Sequence, residues 1–279
     1  MPATPVLRPD WPAVPGVQAA FSTRAGGVST APFDTLNLGV GVGDDPAAVA
    51  ENRARWAAAL GHPPVWLHLV HGTQVLRLHA GGPEHPVAHA DAAWTSDAGV
   101  VCQVAAADCL PVLFARRDGL AVGAAHAGWR GLAGGVLQAT VQAMCAGTGA
   151  APDDLQAWLG PCIGPQAFEV GADVLLAFGC DPEGPPDPRF VLQPRASRAS
   201  RASSAAHAHG SPRWLADLPT LAVQRLQLAG VRQITPSGLC TVADRSRFFS
   251  FRRDGRTGRL AAAIWRDVGR RNVGGRDAG

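Results

Sequence analysis

The chain has 279 residues, of which 47% are hydrophobic and 17% charged, so it has enough apolar sequence for a buried core and is not an intrinsically disordered protein. Its formal net charge is +3, and its basic residues are all arginines spread along the chain, which excludes a typical nucleic-acid partner. No apolar run approaches the roughly 20 residues that cross a bilayer, and the six cysteines contain no C-x-x-C pair, so we expect a cytoplasmic protein with no membrane partner.

The N-terminal part of the chain is predicted to form a strand at 17–23 and then a helix. Asp44-Asp45-Pro46 is typical of a helix start and Gly61 of a helix end, so the helix is predicted to end at Leu60. Arg53 lies on the apolar stripe of this helix and therefore points inward, where it needs an anion. That anion is either a nearby aspartate in a structural ion pair or a substrate.

The middle of the chain is predicted to be rich in strands, at 65–70, 74–78, 100–106, 112–115 and 121–125. Asp118-Gly119 between the last two strands is a strong hairpin signal. If this dipeptide is the turn, His126 faces Pro111 and Cys109 is its diagonal neighbour. A turn one residue earlier places Cys109 directly opposite His126. In either register the two side chains come within reach of a shared atom, with roughly 5 to 8 Å between their Cβ atoms.

The C-terminal half is predicted to contain short helices and strands. Helices are expected after Gly131, at 170–178 and at 219–228, and strands at 159–163 and 231–234. Residues 181–212 are Pro-rich and then repeat Arg-Ala-Ser, a composition that cannot bury a core, so we expect a disordered surface insertion there. Too few residues follow the insertion for a separate stable domain, and the tail at 269–279 is expected to fray. The sequence therefore predicts a single domain over residues 1–279.

A cysteine and a histidine at one point have three interpretations. Cys109 is a small buried hydrophobe beside a hydrogen-bonded His126, or a thiolate nucleophile with that histidine as its base, or both residues are metal ligands. A catalytic zinc keeps three protein ligands and leaves one position open, so a metal site needs one more donor. His71, at the end of a predicted strand, is the best supplier. His68, two residues back on the same face, competes with it.

Two further polar residues lie next to these candidates in the sequence. Asp108 precedes Cys109 and is interpreted as a partner of the ligands, as a proton shuttle or as a simple loop cap. Gly128-Trp129-Arg130-Gly131 leads into a predicted helix start, where backbone N–H groups favour anions and Arg130 suits a phosphate or a carboxylate. These four residues are also typical of an ordinary turn.

A set of short motifs extends along nearly the whole chain, over about 16–265. In chain order they are Phe21–Ser29, Asn37–Gly39, Glu51–Arg53, Val70–Gly72, Ala107–Pro111, His126–Gly131, Leu159–Gly164, Phe168–Gly171, Cys240-Thr241 and Phe249–Gly255. In this combination the chain resembles the YfiH/laccase-domain family of purine nucleoside phosphorylases, formerly called polyphenol oxidases. The Arg-Ala-Ser insertion departs from the family pattern but touches none of these motifs.

The resemblance implies a fold and a metal site. The fold is α+β, a single domain of mixed β-sheets with helices packed outside, related to that of deamidating toxins. Zinc is implied at His71, Cys109 and His126, with copper less favoured, and His68 is disfavoured as a ligand. Together with Asp108, the three ligands form the expected catalytic set.

The activity implied by the resemblance is phosphorolysis of purine nucleosides, namely adenosine, inosine and methylthioadenosine. Inorganic phosphate is then the second substrate, and adenosine deaminase activity accompanies the reaction. Arg24, Asn37, Arg53 and Arg130 are expected to bind substrate. The chain does not resemble the zinc deaminases built on Pro-Cys-x-x-Cys, because the second cysteine after Cys162 is missing.

Two other enzyme activities stay open at this point. Cys109 and His126 would serve a hydrolase or amidase that acts on cell-wall precursors. Two histidines and one cysteine would also serve the blue-copper centre of a polyphenol oxidase. A multicopper oxidase needs clustered His-x-His motifs as well, and the pair His207 and His209 falls in the predicted insertion, so the oxidase is disfavoured. A non-catalytic binding role is the least favoured, and the sequence makes no prediction of the oligomeric state.

Overall fold

The computed structural model describes residues 4–81, 89–194 and 211–267. Its strands are β1 (Val6–Leu7), β2 (Val17–Ser22), β3 (Val75–Arg77), β4 (Ala92–Thr95), β5 (Val101–Ala106), β6 (Leu110–Arg116), β7 (Val122–Ala127), β8 (Leu155–Leu159), β9 (Glu169–Val170), β10 (Phe190–Leu192), β11 (Trp214–Ala216), β12 (Gln233–Pro236) and β13 (Leu260–Arg266). Its helices are α1 (Pro46–Leu60), α2 (Trp129–Gly134), α3 (Val136–Thr148), α4 (Ala172–Ala177), α5 (Leu218–Leu228) and α6 (Phe251–Asp254). None of these helices is long and apolar enough to span a membrane.

The strands of the described residues form three sheets. The largest has six strands in the order β12-β8-β6-β7-β4-β3, the second has four in the order β1-β2-β13-β5, and the smallest has three in the order β10-β11-β9. The β3–β4 and β8–β12 pairs are parallel, and the other pairs are antiparallel. Mixed sheets without a regular βαβ alternation belong to the α+β class, as predicted.

The two larger sheets pack face to face, with helices outside them. Side chains alternate along β6, so that Val112 and Phe114 pack on the side of α3 and α5, whereas Leu113 packs on the side of the four-stranded sheet. The other face of the four-stranded sheet is covered by α1 through Trp56, which is completely buried. The layers therefore run from α3 and α5 through the two sheets to α1. This order confirms the expectation of sheets inside and helices outside.

The predicted ends of the first helix are confirmed. The Asp45 side chain accepts a hydrogen bond from the Ala47 N–H and caps the N-terminus of α1. Gly61 closes the C-terminus with a φ of 77°, a left-handed conformation that glycine adopts without strain. The local sequence signals therefore suffice to define this helix.

The predicted hairpin is also confirmed, with the first of its two registers. Strands β6 and β7 pair antiparallel, and Pro111 lies opposite His126. Cys109 directly precedes β6 and is the diagonal neighbour of His126. The hairpin therefore brings these two side chains to the same end of the six-stranded sheet.

Two predicted strands are wrong. A strand was expected at 159–163, but the strand in this region, β8, lies earlier in the chain and ends at Leu159. It ends there because Gly160-Pro161 follows and proline has no N–H to donate to a neighbouring strand. Residues 65–70 form no regular strand; the bridges in this region are isolated ones, Pro64 to Val101 and His68 to His89. This segment therefore lies along the sheets as an extended loop.

The prediction of a disordered insertion at 181–212 is wrong for the first part of that range. Phe190–Leu192 form β10, which pairs with β11, and Phe190 is buried in the core. A short apolar run can bury one side chain even between Pro-rich flanks, and the overall composition of the segment concealed it. The Arg-Ala-Ser repeat at 195–204 and the tail at 269–279 lie outside the described residues.

Candidate metal centre

Three donor side chains meet at the open end of the β6–β7 hairpin. His126 is the penultimate residue of β7, Cys109 directly precedes β6, and His71 lies in the loop before β3. Their donor atoms all lie within 4.8 Å of one another, and Cys109 Sγ is 3.8 Å from His71 Nε2. Within the described part of the chain no other group of three such donors is found. The structure thus brings together the three residues predicted as ligands.

Two residues at this centre have backbone conformations that non-glycine residues rarely adopt. His71 has a φ of 60°, and Asp108, next to Cys109, has a φ of 87°. Such conformations cost on the order of 1 to 3 kcal/mol each and persist only where surrounding contacts hold them. The contacts that hold both residues are made by buried carboxylates, one from Asp91 and one from Asp108 itself.

Asp91 is completely buried and holds both histidines. Its carboxylate accepts hydrogen bonds from the backbone N–H groups of residues 70, 71 and 72, at 3.2, 2.9 and 2.7 Å. It also lies 2.9 Å from His126 Nδ1, which leaves Nε2 of that ring as the atom that can coordinate a metal. Burial raises the pKa of Asp91, but the hydrogen bonds from His126 and from the loop outweigh this effect and hold the pKa below its ordinary value.

Asp108 holds the loop that carries Cys109. Its carboxylate accepts hydrogen bonds from Thr241 Oγ1 at 2.5 Å, from Ser250 Oγ at 3.0 Å and from the backbone N–H of Arg252 at 2.6 Å. These contacts tie the loop to the two C-terminal motifs of the family. A carboxylate engaged in this way positions its neighbours, and the catalytic role expected for Asp108 stays a prediction.

Gly128 packs directly against two of the donors. A Cβ atom at this position would lie 2.8 Å from His71 Cδ2 and 3.0 Å from Cys109 Sγ, distances that leave no room for a side chain. Gly131 likewise packs on the loop, since a Cβ atom there would lie 2.9 Å from the carbonyl oxygen of Gly72. The glycines of the 126–131 motif therefore allow α2 to approach the donors closely.

The donors change one another's proton affinity. Burial raises the pKa of the Cys109 thiol, but the charge and hydrogen bonding of His126 and His71 outweigh this and lower the pKa to about 6. Burial lowers the pKa of His126, but the Cys109 thiolate and the Asp91 carboxylate outweigh this and raise the pKa above its ordinary value. The surroundings of Cys109 therefore favour the thiolate, the form that binds metals or attacks as a nucleophile.

A cavity of about 490 Å³ opens onto these donors. Sites for small ligands usually measure roughly 300 to 1,000 Å³, so the cavity suits a small molecule. Besides the donors, its walls include two arginines, two aromatic residues and one further histidine: Arg53, Arg259, Trp66, Phe251 and His68. Phe251 is 59% exposed. Of the donors, His71 is exposed, Cys109 is half-buried and His126 is buried, so a ligand can reach the group from the side of His71.

Arg53 is the predicted substrate-binding residue that lines this cavity. Its Nε donates to the carbonyl oxygen of Leu38 at 3.0 Å, and its guanidinium lies 3.6 Å from the centre of the Trp66 ring. No acidic partner of Arg53 lies within the described residues, so the structural ion pair considered from the sequence is not formed there. Burial lowers the pKa of Arg53, and a guanidinium remains charged in proteins.

Two other predicted substrate-binding arginines do not line this cavity. Arg24 forms an ion pair with Asp34 at 3.0 Å and borders a separate surface cavity. Arg130 stands at the start of α2, and its guanidinium stacks on the neighbouring Trp129 ring at 4.4 Å. Their positions give no support to the expectation that they hold phosphate or nucleoside. For Arg24 the physical reason is clear, since Asp34 already neutralises its charge.

Asn37 was also predicted to bind substrate, but it is completely buried and both polar atoms of its side chain are hydrogen-bonded inside the protein. Its Nδ2 donates to Asp44 Oδ2 at 2.8 Å and to the carbonyl oxygen of Gly39 at 3.3 Å. Its Oδ1 accepts from the backbone N–H groups of Gly39 and Arg259, each at 2.9 Å. Asn52 in α1 donates to the carbonyl oxygen of Asn37 at 3.0 Å. Asn37 therefore holds the backbone of Gly39 and Arg259, two residues of the cavity wall.

His68, the competing ligand, lies in the same cavity but apart from the donor group. Its ring packs edge-to-face against the His89 ring, with 4.4 Å between the centroids. His71 rather than His68 joins Cys109 and His126 within the cluster. The preference for His71 in the resemblance agrees with this geometry.

Two residues that position the donors, and a third that lines the cavity, were missed in the sequence. Asp91 precedes a buried strand, and a carboxylate at that position has the same local pattern as an ordinary loop cap. The family motif includes Gly128, but its contact with the donors depends on tertiary structure. Arg259 stands between Gly258 and the apolar run of β13, and this isolated charge beside a buried strand was the signal available.

The donor set fits a tetrahedral metal ion such as zinc. Typical Zn–N and Zn–S bond lengths place a nitrogen and a sulfur ligand roughly 3.5 Å apart. The observed distance between Cys109 Sγ and His71 Nε2 is 3.8 Å. The contact between Asp91 and His126 is the carboxylate–histidine arrangement that commonly orients metal ligands. Two histidines and one cysteine also suit copper, so the geometry supports a metal without selecting one.

The fold and the centre define an α+β protein with an accessible three-donor metal site, which is the arrangement of a metalloenzyme. Residues 18–267 match the family model described as multi-copper polyphenol oxidoreductase laccase, and the chain belongs to this family. The family resemblance inferred from the short motifs is thereby confirmed.

Known relatives match this chain over nearly its whole length. The purine nucleoside phosphorylase YfiH of Escherichia coli is 47% identical over 262 residues, which cover 93% of this chain and 98% of the relative. The purine nucleoside phosphorylase PA4543 of Pseudomonas aeruginosa is 46% identical over 259 residues, which cover 93% and 97%. The crystal structure of the DUF152 protein NMB0706 of Neisseria meningitidis is similar at a TM-score of 0.77 and 43% identity, and the match covers 94% of this chain and 99% of that one.

Proposed function

We propose that this protein is a purine nucleoside phosphorylase that acts on adenosine, inosine and methylthioadenosine. The observation that carries the proposal is one cavity that holds both a three-donor metal centre and the guanidinium of Arg53 without an acidic partner among the described residues. The family relatives named purine nucleoside phosphorylase, at 46 and 47% identity, support the assignment. The proposed partners are therefore a nucleoside and inorganic phosphate.

Phosphorolysis exchanges one bond for another at the anomeric carbon of the ribose. The bond from C1′ to the purine nitrogen breaks, a phosphate oxygen forms a new bond to C1′, and the purine leaves with the bonding electrons and takes up a proton. Arg53 is proposed to hold the phosphate through its Nη atoms, because its Nε is engaged with Leu38. Trp66 beneath the guanidinium keeps its plane fixed.

Zinc is the proposed resident metal, held by His71, Cys109 and His126. When bound there, it supplies a Lewis acid beside the substrate. The chain itself contributes orientation. Asp91 fixes the loop of His71 and the ring of His126, and Asp108 fixes the loop of Cys109. The cytoplasmic location expected from the sequence is part of the same proposal, and all six cysteines are free thiols in the structure.

Copper oxidation is less well supported, although the family description names it. A multicopper oxidase needs a trinuclear cluster in addition to the first centre, and the described residues contain no second group of three donors. Elemental analysis of the purified protein distinguishes the two metals. Stoichiometric zinc in a colourless protein supports the proposal, whereas copper with strong visible absorption contradicts it.

Deamination of adenosine is proposed as a side activity of the same site. Water replaces the amino group at C6, so the products are inosine and ammonia. This reaction needs no phosphate, and phosphorolysis does. We expect ammonia release from adenosine in phosphate-free buffer and its loss in Cys109→Ala. Ammonia release that persists in this variant would show that another site or a contaminant is responsible.

A cysteine hydrolase or amidase acting on cell-wall precursors is the second candidate. The Cys109 thiolate, His126 and Asp91 form the nucleophile, base and orienting carboxylate that such an enzyme uses. The third donor, His71, at 3.8 Å from the sulfur, favours a metal instead. Amide hydrolysis that survives a chelator and is lost on alkylation of Cys109 would select the hydrolase.

The proposed function is tested by hypoxanthine release from inosine with and without phosphate. We expect release that requires phosphate and yields ribose 1-phosphate in equal amount. Release at the same rate without phosphate, with free ribose as product, would indicate a hydrolase. No release from any of the three nucleosides by zinc-loaded protein would reject the proposal.

A further inference from the structure

We infer that Arg259 is a second oxyanion-binding residue of the metal cavity, and that with Arg53 it forms a two-arginine site for inorganic phosphate. The inference rests on the proposed function for the identity of the anion as a substrate. The site itself follows from the position of Arg259, from the contacts of its nitrogens and from the charges around the cavity.

The position of Arg259 is fixed by the Asn37–Gly39 motif. Its backbone N–H donates to Asn37 Oδ1 at 2.9 Å, just before β13 begins. Its side-chain stem crosses Gly39 so closely that a Cβ atom there would lie 2.4 Å from Arg259 Cγ. Asn37 thus fixes the backbone of Arg259, and Gly39 leaves the space in which the Arg259 side chain lies along the cavity wall.

The guanidinium of Arg259 is only partly engaged by the protein. Its Nη1 donates to the carbonyl oxygens of Thr257 and Gly258, at 3.0 and 3.2 Å. Within the described residues its Nε and Nη2 make no hydrogen bond and it has no ion pair. Arg53 is similar, since its single hydrogen bond there uses Nε. Both arginines therefore keep N–H groups for a ligand.

The charges of the two arginines are available to an anion. Burial lowers the pKa of both Arg53 and Arg259, and for Arg259 the negative charges of Cys109 and Asp108 act in the opposite direction without cancelling the effect of burial. The Asp108 carboxylate accepts its hydrogen bonds from Thr241, Ser250 and the Arg252 backbone, and Cys109 belongs to the donor group, so neither group is hydrogen-bonded to the Arg259 guanidinium. Two guanidinium groups on one cavity suit a dianion with several oxygens, which is the chemistry of phosphate.

Each guanidinium is also placed against an aromatic ring. Arg53 lies on Trp66, and the Arg259 guanidinium is 5.9 Å from the centre of the Phe251 ring. Both rings line the cavity. At 3.6 Å the contact of Arg53 is a stacking contact, which limits the motion of the guanidinium and leaves its N–H edge for hydrogen bonds, whereas the contact of Arg259 is a looser cation–π contact. The arrangement therefore suits a ligand that accepts hydrogen bonds from the N–H edges of the two guanidinium groups.

The first experiment measures binding of inorganic phosphate to the metal-loaded protein by calorimetry. We expect Arg259→Gln to weaken phosphate binding at least about tenfold, the loss typical of a charge-assisted hydrogen bond, with unchanged metal content. Arg259→Lys should recover part of the affinity. The matched control is Arg232→Gln, because Arg232 is 84% exposed and pairs with Asp153 on the surface. Equal phosphate affinity in Arg259→Gln and Arg232→Gln would overturn the inference.

A second measurement uses only the native chain, in case the variant does not fold. Phenylglyoxal modifies accessible arginines, and mass spectrometry reports each site. We expect inorganic phosphate to protect Arg259 and Arg53 from modification but not Arg232. Modification of Arg259 at the same rate with and without saturating phosphate would contradict the assignment.

The source of the oxyanion and the proposed function are tested separately. Adenosine 5′-monophosphate presents the same phosphate chemistry as part of a nucleotide. Arg259-dependent binding of this nucleotide without binding of inorganic phosphate would overturn the assignment to free phosphate. Arg259-dependent binding of inorganic phosphate in a protein that releases no purine would support the site and reject the phosphorylase proposal alone.

Discussion

The cavity has two ends that are built differently. We call His71, Cys109 and His126 the donor end, and Arg53 and Arg259 the arginine end. At the donor end, buried carboxylates hold the strained loops and one histidine ring. At the arginine end, the partners within the described residues are backbone carbonyls and aromatic rings.

This difference indicates different occupants. The carboxylates of Asp91 and Asp108 keep the donor end in one geometry before any ligand arrives, as a resident metal requires. The arginine end has positive charges that lack a carboxylate partner in the described part of the chain. An anion that binds and leaves in each reaction cycle would neutralise them. The variants below test whether each end can be disabled without the other.

The largest effect is expected from removing a donor. His71→Ala should lose the bound metal and all purine release, because two remaining donors do not retain zinc at normal concentrations. Elemental analysis and the release assay measure the two losses. His68→Ala is the matched control for metal content, since His68 lines the cavity outside the donor group. Loss of metal in His68→Ala with retention in His71→Ala would reassign the ligand.

A smaller effect on the same end is expected from Asp91→Asn. This change keeps the size of the side chain but weakens the hold on His126 and on residues 70–72. Changes in such supporting residues typically reduce metal affinity about 10- to 100-fold. Competition with a chromogenic chelator measures the affinity, and phosphate binding should be unchanged once the metal is restored. Wild-type metal affinity in this variant would show that Asp91 does not support the donor end.

At the arginine end, Arg53→Gln is expected to weaken phosphate binding without changing metal binding. Loss of charge-assisted hydrogen bonds should raise the phosphate KM about 10- to 100-fold while the metal content stays constant. Initial rates at varied phosphate and saturating inosine measure this change, with Arg232→Gln as the control. An increase in the inosine KM with a constant phosphate KM would place Arg53 on the nucleoside instead.

The smallest effect is expected from Gly128→Ala. The added Cβ would press on His71 and Cys109, and inserting one methyl group into a packed site typically costs about 1 to 3 kcal/mol. We expect a lower Tm and weaker metal binding with little change in phosphate binding. Calorimetric unfolding and chelator competition measure the two effects. A variant with the Tm and metal affinity of the native chain would contradict the close packing described for α2.

The parts of this picture that depend on local signals were predictable from the sequence. The caps of α1 and the β6–β7 hairpin follow from residues next to the elements they define, although the sequence left two registers open for the hairpin. The proximity of Cys109 and His126 was expected in both registers. His71 was one of two histidines compatible with the residue pattern. The family resemblance favoured it over His68, and the fold places it with the other two donors.

The parts that depend on long-range contacts were not predictable. Asp91 reaches His126 across 35 positions of the chain, and Asn37 reaches Arg259 across 222. The inward direction of Arg53 was correct. The substrate-binding role expected for Asn37 gains no support from the structure, because its side chain holds the backbone of Gly39 and Arg259. The same role expected for Arg24 gains no support either, since its guanidinium pairs with Asp34.

The most direct test of the account is a crystal structure of the metal-loaded protein with phosphate, recorded at the zinc absorption edge. The account predicts an anomalous peak bonded to His71, Cys109 and His126, and a tetrahedral oxyanion in contact with both Arg53 and Arg259. Zinc held by other residues, or phosphate bound away from both arginines, would contradict the central claim that one cavity holds a metal end and a phosphate end.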